Sequence, residues 1–220
     1  MRGDALKTKV LSVKIIPNAD KALLKALKAH SAHRSLGIIT TDCDDVSYAA
    51  LDDATKKARV QVVYAKSMYA GSTNSSTALA GEFLGILSGV DPEDVCSGLE
   101  AAIDFAENAA SFYSANADDS IVYFAHCISR TGSYLSKQAK IPEGNALAYL
   151  IAPPLEAILG LDAALKASQV EMKLFYGPPT ETNFAGGLLC GDQPSCSAAC
   201  DAFAQMVCDI AEAPLSFQRR

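Results

Sequence analysis

Runs of alternating or continuous apolar residues, each six to nine long, recur along the chain. Each is bounded by turn-forming residues. VLSVKII (10–16), LGIITT (36–41), VQVVYAK (60–66) and FLGILS (83–88) come first. SIVYFAHCI (120–128), ALAYLIA (146–152), VEMKLFY (170–176) and GGLLCG (186–191) follow in the same order. Their length and β-branched and aromatic content predict strands rather than helices. Helical periods lie between them. ADKALLKALKAH (19–30) begins at a capping Asn18 or Asp20. Asp91 and Pro92 open a longer helix whose apolar stripe is Val95, Leu99, Ile103, Ala106 and Ala110. Phe203, Met206, Val207 and Ile210 make the corresponding stripe near the C-terminus.

The two series are copies of one plan. GILSGVDP (85–92) is echoed by GLLCGDQP (187–194), both G-x-x-x-G-x-x-P, and LDDATKKARV (51–60) by LDAALKASQV (161–170). Offsets of 102 and 110 residues (187 against 85, 161 against 51) differ as two copies with unequal loops would. Each half reads roughly β-α-β-α-β-β-α, which predicts an α/β sandwich of helices against a sheet. The boundary is expected within ENAASFYSANADD (107–119), giving domains 1–113 and 114–220.

Composition narrows the function classes. With 220 residues, half of them hydrophobic, the chain is long enough for one large domain or two smaller ones. A net charge of −6 speaks against a nucleic-acid partner, and no basic amphipathic segment suits an anionic membrane. The most apolar window, 145–165, contains Pro153, Pro154, Glu156 and Asp162 and is not a membrane span. No export signal is recognisable, since the first apolar run is short and broken by Lys14. The seven cysteines are therefore expected to be reduced thiols of a cytosolic protein.

Several motifs superficially suggest chemistry. HCISRTGS (126–133) sets only two residues between Cys127 and Arg130, too few for a phosphatase loop, so Cys127 is expected to be a buried structural thiol and SRTGSYL a turn into a helix. Cys190, Cys196, Cys200 and Cys208 lack a C-x-x-C and a nearby histidine, and read as small core residues rather than metal ligands. His30, His33 and His126 are scattered. Gly186 and Gly187 are expected to serve close packing.

The halves, with HRSLGIITTDCDDVSYAALDDATKKA, VVYAKSMYAG, SRTGSYLS, AYLIAPPLEA and ETNF, resemble the EutL-type shell proteins of the ethanolamine-utilisation microcompartment. The resemblance implies two circularly permuted bacterial microcompartment (BMC) domains in tandem, each a ferredoxin-like, mainly antiparallel α+β sheet. It also implies a homotrimeric, pseudohexameric tile lying beside other shell proteins in the cytoplasm. The tile would have a gated central pore and a smaller pore in each chain, and would be neither an enzyme nor a cofactor protein; the gating offers a mobile pore loop as the second reading of Gly186 and Gly187. Whether a corrinoid is a partner is left open, because the enclosed lyase of that pathway uses cobalamin.

The same resemblance directs attention to the carboxylates of TTDCDDVSY (40–48). Aligning the LD pairs sets DCDDV (42–46) against APPLE (152–156), so Asp44 and Asp45 in one copy and Glu156 in the other leave equivalent strand ends. Glu82 and the ETNF segment (181–184) precede another equivalent strand pair. With Phe112, Thr182, Asn183 and Phe184, these residues would bind ethanolamine in the small pore, carboxylates on the ammonium and side-chain polar groups on the hydroxyl. Asp42 reads as structural. The competing readings are an enzyme using the acidic loops as a general acid/base pair or metal site, and a soluble small-molecule sensor.

Overall fold

A computed structural model describes residues 1–68, 77–178, 180 and 182–215. In chain order the strands are β1 (Ala5–Leu6), β2 (Val10–Ile16), β3 (Ser35–Thr41), β4 (Val60–Ser67), β5 (Phe83–Gly89), β6 (Phe112–Ser114), β7 (Val122–Ile128), β8 (Ala146–Ala152), β9 (Glu171–Tyr176) and β10 (Ala185–Gly191). The α-helices are α1 (Lys21–Ala26), α2 (Asp44–Lys57), α3 (Pro92–Asp104), α4 (Ser133–Ala139), α5 (Pro154–Ala167) and α6 (Gln193–Glu212).

Two units result, and neither is a continuous stretch of chain. The first joins Lys7–Ser111 to Arg130–Gly144, and the second joins Met1–Leu6, Phe112–Ser129 and the chain from Asn145 onward. The first holds a sheet in the order β2-β3-β5-β4, the second the order β7-β8-β10-β9 with β6 and β1 added beside β7. All pairings are antiparallel. The duplication read from sequence is therefore a duplication of topology. α2 and α5 both run 14 residues at an offset of 110 (154 against 44), the offset of the LD repeat.

In the second unit β8 is buried along its whole length, as a continuous apolar run at the middle of a covered sheet should be. Leu150, Leu189, Ala199, Phe203 and Val207 share its core with three of the four C-terminal cysteines, Cys196, Cys200 and Cys208. The cysteines take the stripe positions expected for Met206 and Ile210, which are only half-buried. Gly160 lets α5 approach α6, because a Cβ there would stand 2.7 Å from the Phe203 ring. Burying a side chain of that size contributes about 1.5–3 kcal/mol. Asp91 and Asp192 cap α3 and α6 by accepting the Asp94 and Ser195 N–H at 2.9 and 2.8 Å.

Three further expectations need correction. The helix expected over 19–30 spans only Lys21–Ala26, because Lys28 turns left-handed at φ 55°. Its N–H and that of Ala29 return to the Lys25 and Leu24 carbonyls, a six-to-one closure that ends the helix. Of the stripe expected on this helix Val95, Leu99, Ala106 and Ala110 are buried but Ile103 is only half-buried, and the π turn Phe105–Ala109 that follows α3 buries Phe105 as well. Cys127 is half-buried, its Sγ 3.8 Å from the Gln193 carbonyl. Gly186 and Gly187 serve close packing, one of the two readings of the sequence: they pair within β10, and a Cβ on Gly186 would lie 1.9 Å from the Leu150 carbonyl oxygen.

Candidate functional site

In the first unit the acidic stretch lies where β3 gives way to α2. Thr41 ends the strand, and its hydroxyl meets Ser47 Oγ at 2.6 Å. Cys43 is extended, and Asp44 and Asp45 form the first turn of α2, where helix dipole and unpaired N–H groups favour negative charge. Asp42 closes the end of the β2–β3 ladder: its Oδ1 accepts the Lys9 N–H at 2.7 Å.

Asp44 and Asp45 are each only 7% exposed, so they are not solvated turn residues. Asp44 Oδ2 accepts the Ser67 hydroxyl at 2.7 Å, and its Oδ1 accepts the Asp45 N–H at 2.8 Å. Burial pushes the Asp44 carboxyl above its ordinary value, and the Ser67 hydrogen bond only partly offsets this. Glu82 sits between the strands that flank β5. Its N–H donates to the Thr41 carbonyl at 2.9 Å, and its carbonyl accepts the Met68 N–H at 2.7 Å. Its carboxyl is also pushed up, first by burial and then by the charges of Asp44 and Asp42. One end of this sheet thus gathers Asp42, Asp44, Asp45 and Glu82.

Three participants had no signal in the sequence patterns. Ser67, the last residue of β4, holds Asp44. Tyr48 accepts the Ser67 N–H at 2.9 Å through its hydroxyl oxygen and stacks on Tyr134 at 6.3 Å. Asp52, fully buried, reaches across to α4: its carboxylate accepts the N–H of Gly132 at 2.7 Å and of Leu135 at 2.8 Å. Gly132 has no side chain with which to cap its own helix, and Asp52 supplies the cap from 80 residues away. Thr55 assists by accepting the Ser133 N–H at 3.0 Å.

In the second unit Phe112 is buried in β6, stacked on Phe124 at 5.4 Å and edge-on to Phe184 at 5.9 Å. Phe184 precedes β10, whose Ala185 pairs with Ala152 at the end of β8. Thr180 accepts the Asn183 N–H at 3.1 Å through its carbonyl and returns its own N–H and hydroxyl to the Phe184 carbonyl. Asn183, exposed, is left-handed at φ 64°, a conformation that asparagine tolerates better than most residues. Thr182 is half-buried, and Glu181 lies outside the described residues. Glu156 is half-buried in the first turn of α5, which leaves β8 through Pro153.

The structure therefore brings Asp44, Asp45 and Glu82 together in one unit and Phe112 and Phe184 together in the other. A groove of about 950 Å³ lies elsewhere in the first unit, between β4 and α4, and none of the predicted site residues line it. Among the described residues no group of three or more His, Cys, Asp or Glu is placed to hold a metal ion, and no helix is long and apolar enough to cross a membrane.

Comparison with known proteins agrees with the architecture. The BMC domain family matches residues 35–117. The microcompartment shell protein EutL of Clostridium perfringens is 61% identical over 99% of this chain and 100% of its own length. The crystal structure of the ethanolamine utilization protein EutL from Leptotrichia buccalis superposes with a TM-score of 0.97 at 63% identity, covering 99% of this chain and 100% of that one. A trimeric shell protein, PduB, shares the fold at 20% identity and TM-score 0.76, covering 93% and 89%. The chain belongs to the EutL family of bacterial microcompartment shell proteins, which serve ethanolamine utilisation.

Proposed function

We propose that the chain assembles as a homotrimeric, pseudohexameric tile with a gated central pore, and that its acidic sheet end binds ethanolamine as the ammonium ion in a small pore. The observation that carries the binding is the meeting of Asp44, Asp45 and Glu82 at one sheet end, with Asp44 displaced toward protonation by burial and Glu82 by burial and by the charges of Asp44 and Asp42. An ammonium ion relieves that repulsion and supplies charge-assisted hydrogen bonds to carboxylates that water reaches poorly. Glu156, Thr182, Asn183, Phe112 and Phe184 complete the set, the amide and hydroxyl recognising the alcohol. An aromatic face adds about 0.5–2 kcal/mol of cation–π attraction.

A conduit must release its solute, so binding near 1 mM, about −4 kcal/mol, is expected. The enzyme reading gains nothing from the geometry: the carboxylates adjoin hydroxyls already engaged with them and the nearby backbone. Retention of a volatile aldehyde behind a protein sheet suits such a tile better than turnover does.

Calorimetry with ethanolammonium chloride tests the binding. Wild type should bind near millimolar, and Asp45→Asn and Glu82→Gln should each weaken binding about tenfold without lowering the melting temperature. Affinity should also fall as pH drops through the raised Glu82 value, above the ordinary 4.5, because protonation removes the partner charge. Equal binding by wild type and both variants would remove these carboxylates from the site.

A further inference from the structure

The duplicated halves differ in how their second helices are covered. Ten of the 14 residues of α2 are buried, but only Ala157, Gly160, Leu161 and Ala164 of the equally long α5. The difference is α4, which packs on α2 through the Tyr134–Tyr48 stack and the Asp52 cap. The positions on α5 equivalent to Tyr48, Asp52 and Thr55 are Ile158, Asp162 and Leu165. There the two aliphatic side chains are 45% and 37% exposed. Leu155 and Leu159 extend the stripe at 57% and 43% exposure.

The repeat also names what is missing. α4 follows β7 as α1 follows β2, so the counterpart of α4 is α1, at an offset of 112 (133 against 21). The match is residue by residue: Lys28 and Lys140 are both left-handed, at φ 55° and 53°, and both helices end in the same six-to-one closure. Yet Leu135 is 1% exposed while its counterpart Leu23 is 43% exposed, and α1 buries no residue at all. A helix without a seat and a seat without a helix coexist in one chain. Charge agrees, since α1 carries Lys21 and Lys25 and the α5 face carries Glu156, with Asp162 beside it paired to Lys166.

We infer that α1 of one copy docks on α5 of the next, Leu23 entering the stripe around Ile158 as Leu135 enters beside α2. The contact is heterologous, each copy offering a different surface, and such contacts repeat around a closed ring. This rests on the trimeric tile proposed above and specifies its seam. It also explains why Asp162 is not buried as a cap: α1 caps itself through Asp20, which accepts the Ala22 N–H at 2.7 Å, where α4 offers only Gly132.

Light scattering after size exclusion provides the test. Ile158→Glu and, separately, Leu23→Glu should reduce the mass from that of three 23.1 kDa chains to that of one, with unchanged circular dichroism. Combining Ile158→Glu with Leu23→Lys should restore the larger mass. A wild type of three chains whose two variants stay at three chains overturns the seam and leaves the tile standing; a wild type of one chain overturns both. Carbodiimide treatment of the unaltered protein gives a readout independent of these variants. The cross-linked oligomer should contain peptides joining Lys21 or Lys25 to Glu156 or Asp162, and an oligomer joined only at other positions overturns the seam.

Discussion

Replacing Asp52 by alanine removes the remote cap of α4. The carboxylate accepts two backbone N–H groups, from Gly132 and Leu135, at 2.7 and 2.8 Å inside a fully buried setting. Hydrogen bonds to a charged group contribute about 1.5–3 kcal/mol each, and the abandoned amides stay buried. Against this, burial holds the Asp52 carboxyl above its ordinary value, a cost that the variant escapes. The low end of the range therefore applies, about 3 kcal/mol for the pair. For a chain of this length that is a fall in melting temperature of about 6–12 °C. The loss is local, so amide exchange at Ser133–Ala139 should accelerate about a hundredfold, while that of the Leu147–Ile151 amides changes little. Asp52→Asn, which keeps one acceptor, should lose about half as much stability. Scanning calorimetry and hydrogen exchange read both effects. A melting temperature within 2 °C of wild type, with α4 exchange unchanged, would refute the capping argument.

Two further outcomes follow from individual contacts. Asp44 has a folded value raised above the ordinary 3.8 by burial, so its contribution to stability is full in acid and is lost as pH rises through the raised value. Asp44→Asn lacks this titration; in urea melts its stability relative to wild type should climb with pH above 3.8 and then level off, and a pH-independent difference would contradict the assignment. Gly186→Ala should cost about 3 kcal/mol, because its Cβ meets the Leu150 carbonyl within the central ladder; an unchanged denaturation midpoint would show that the strand accommodates the methyl group.

Much of the fold was legible because it is written twice. The LD pairs and the G-x-x-x-G-x-x-P motifs fixed the alignment of halves, and the strand order repeats in both sheets. The resemblance singled out Asp44, Asp45 and Glu82, but the reason they meet, the pairing of β3 with β5 that sets Thr41 beside Phe83, appears only in the fold. What periodicity could not supply were the features that depend on partners distant in sequence. Ser67 carries no pattern beyond the end of an apolar run, yet it anchors Asp44. Asp52 matches Asp162 in the repeat, but one is a buried cap and the other an exposed partner of Lys166. The premature end of α1 was missed because a left-handed lysine replaces the glycine that usually announces a helix stop. The π turn at Phe105–Ala109 leaves no mark in composition at all.

The interleaved origin of the two units sets a timetable for synthesis. Every residue of the first unit is available once Gly144 has emerged from the ribosome, so its sheet, its acidic rim and the α2–α4 pairing are all free to form while the remainder is still being made. The second unit must wait: β1 precedes the first unit, its partner β6 follows more than a hundred residues later, and β8, β9, β10 and α6, which roofs the sheet, all lie beyond residue 144. A chain stopped after residue 144 would thus hold the whole first unit together with β1, β6 and β7 of the second, whose sheet would still lack β8, β10 and β9.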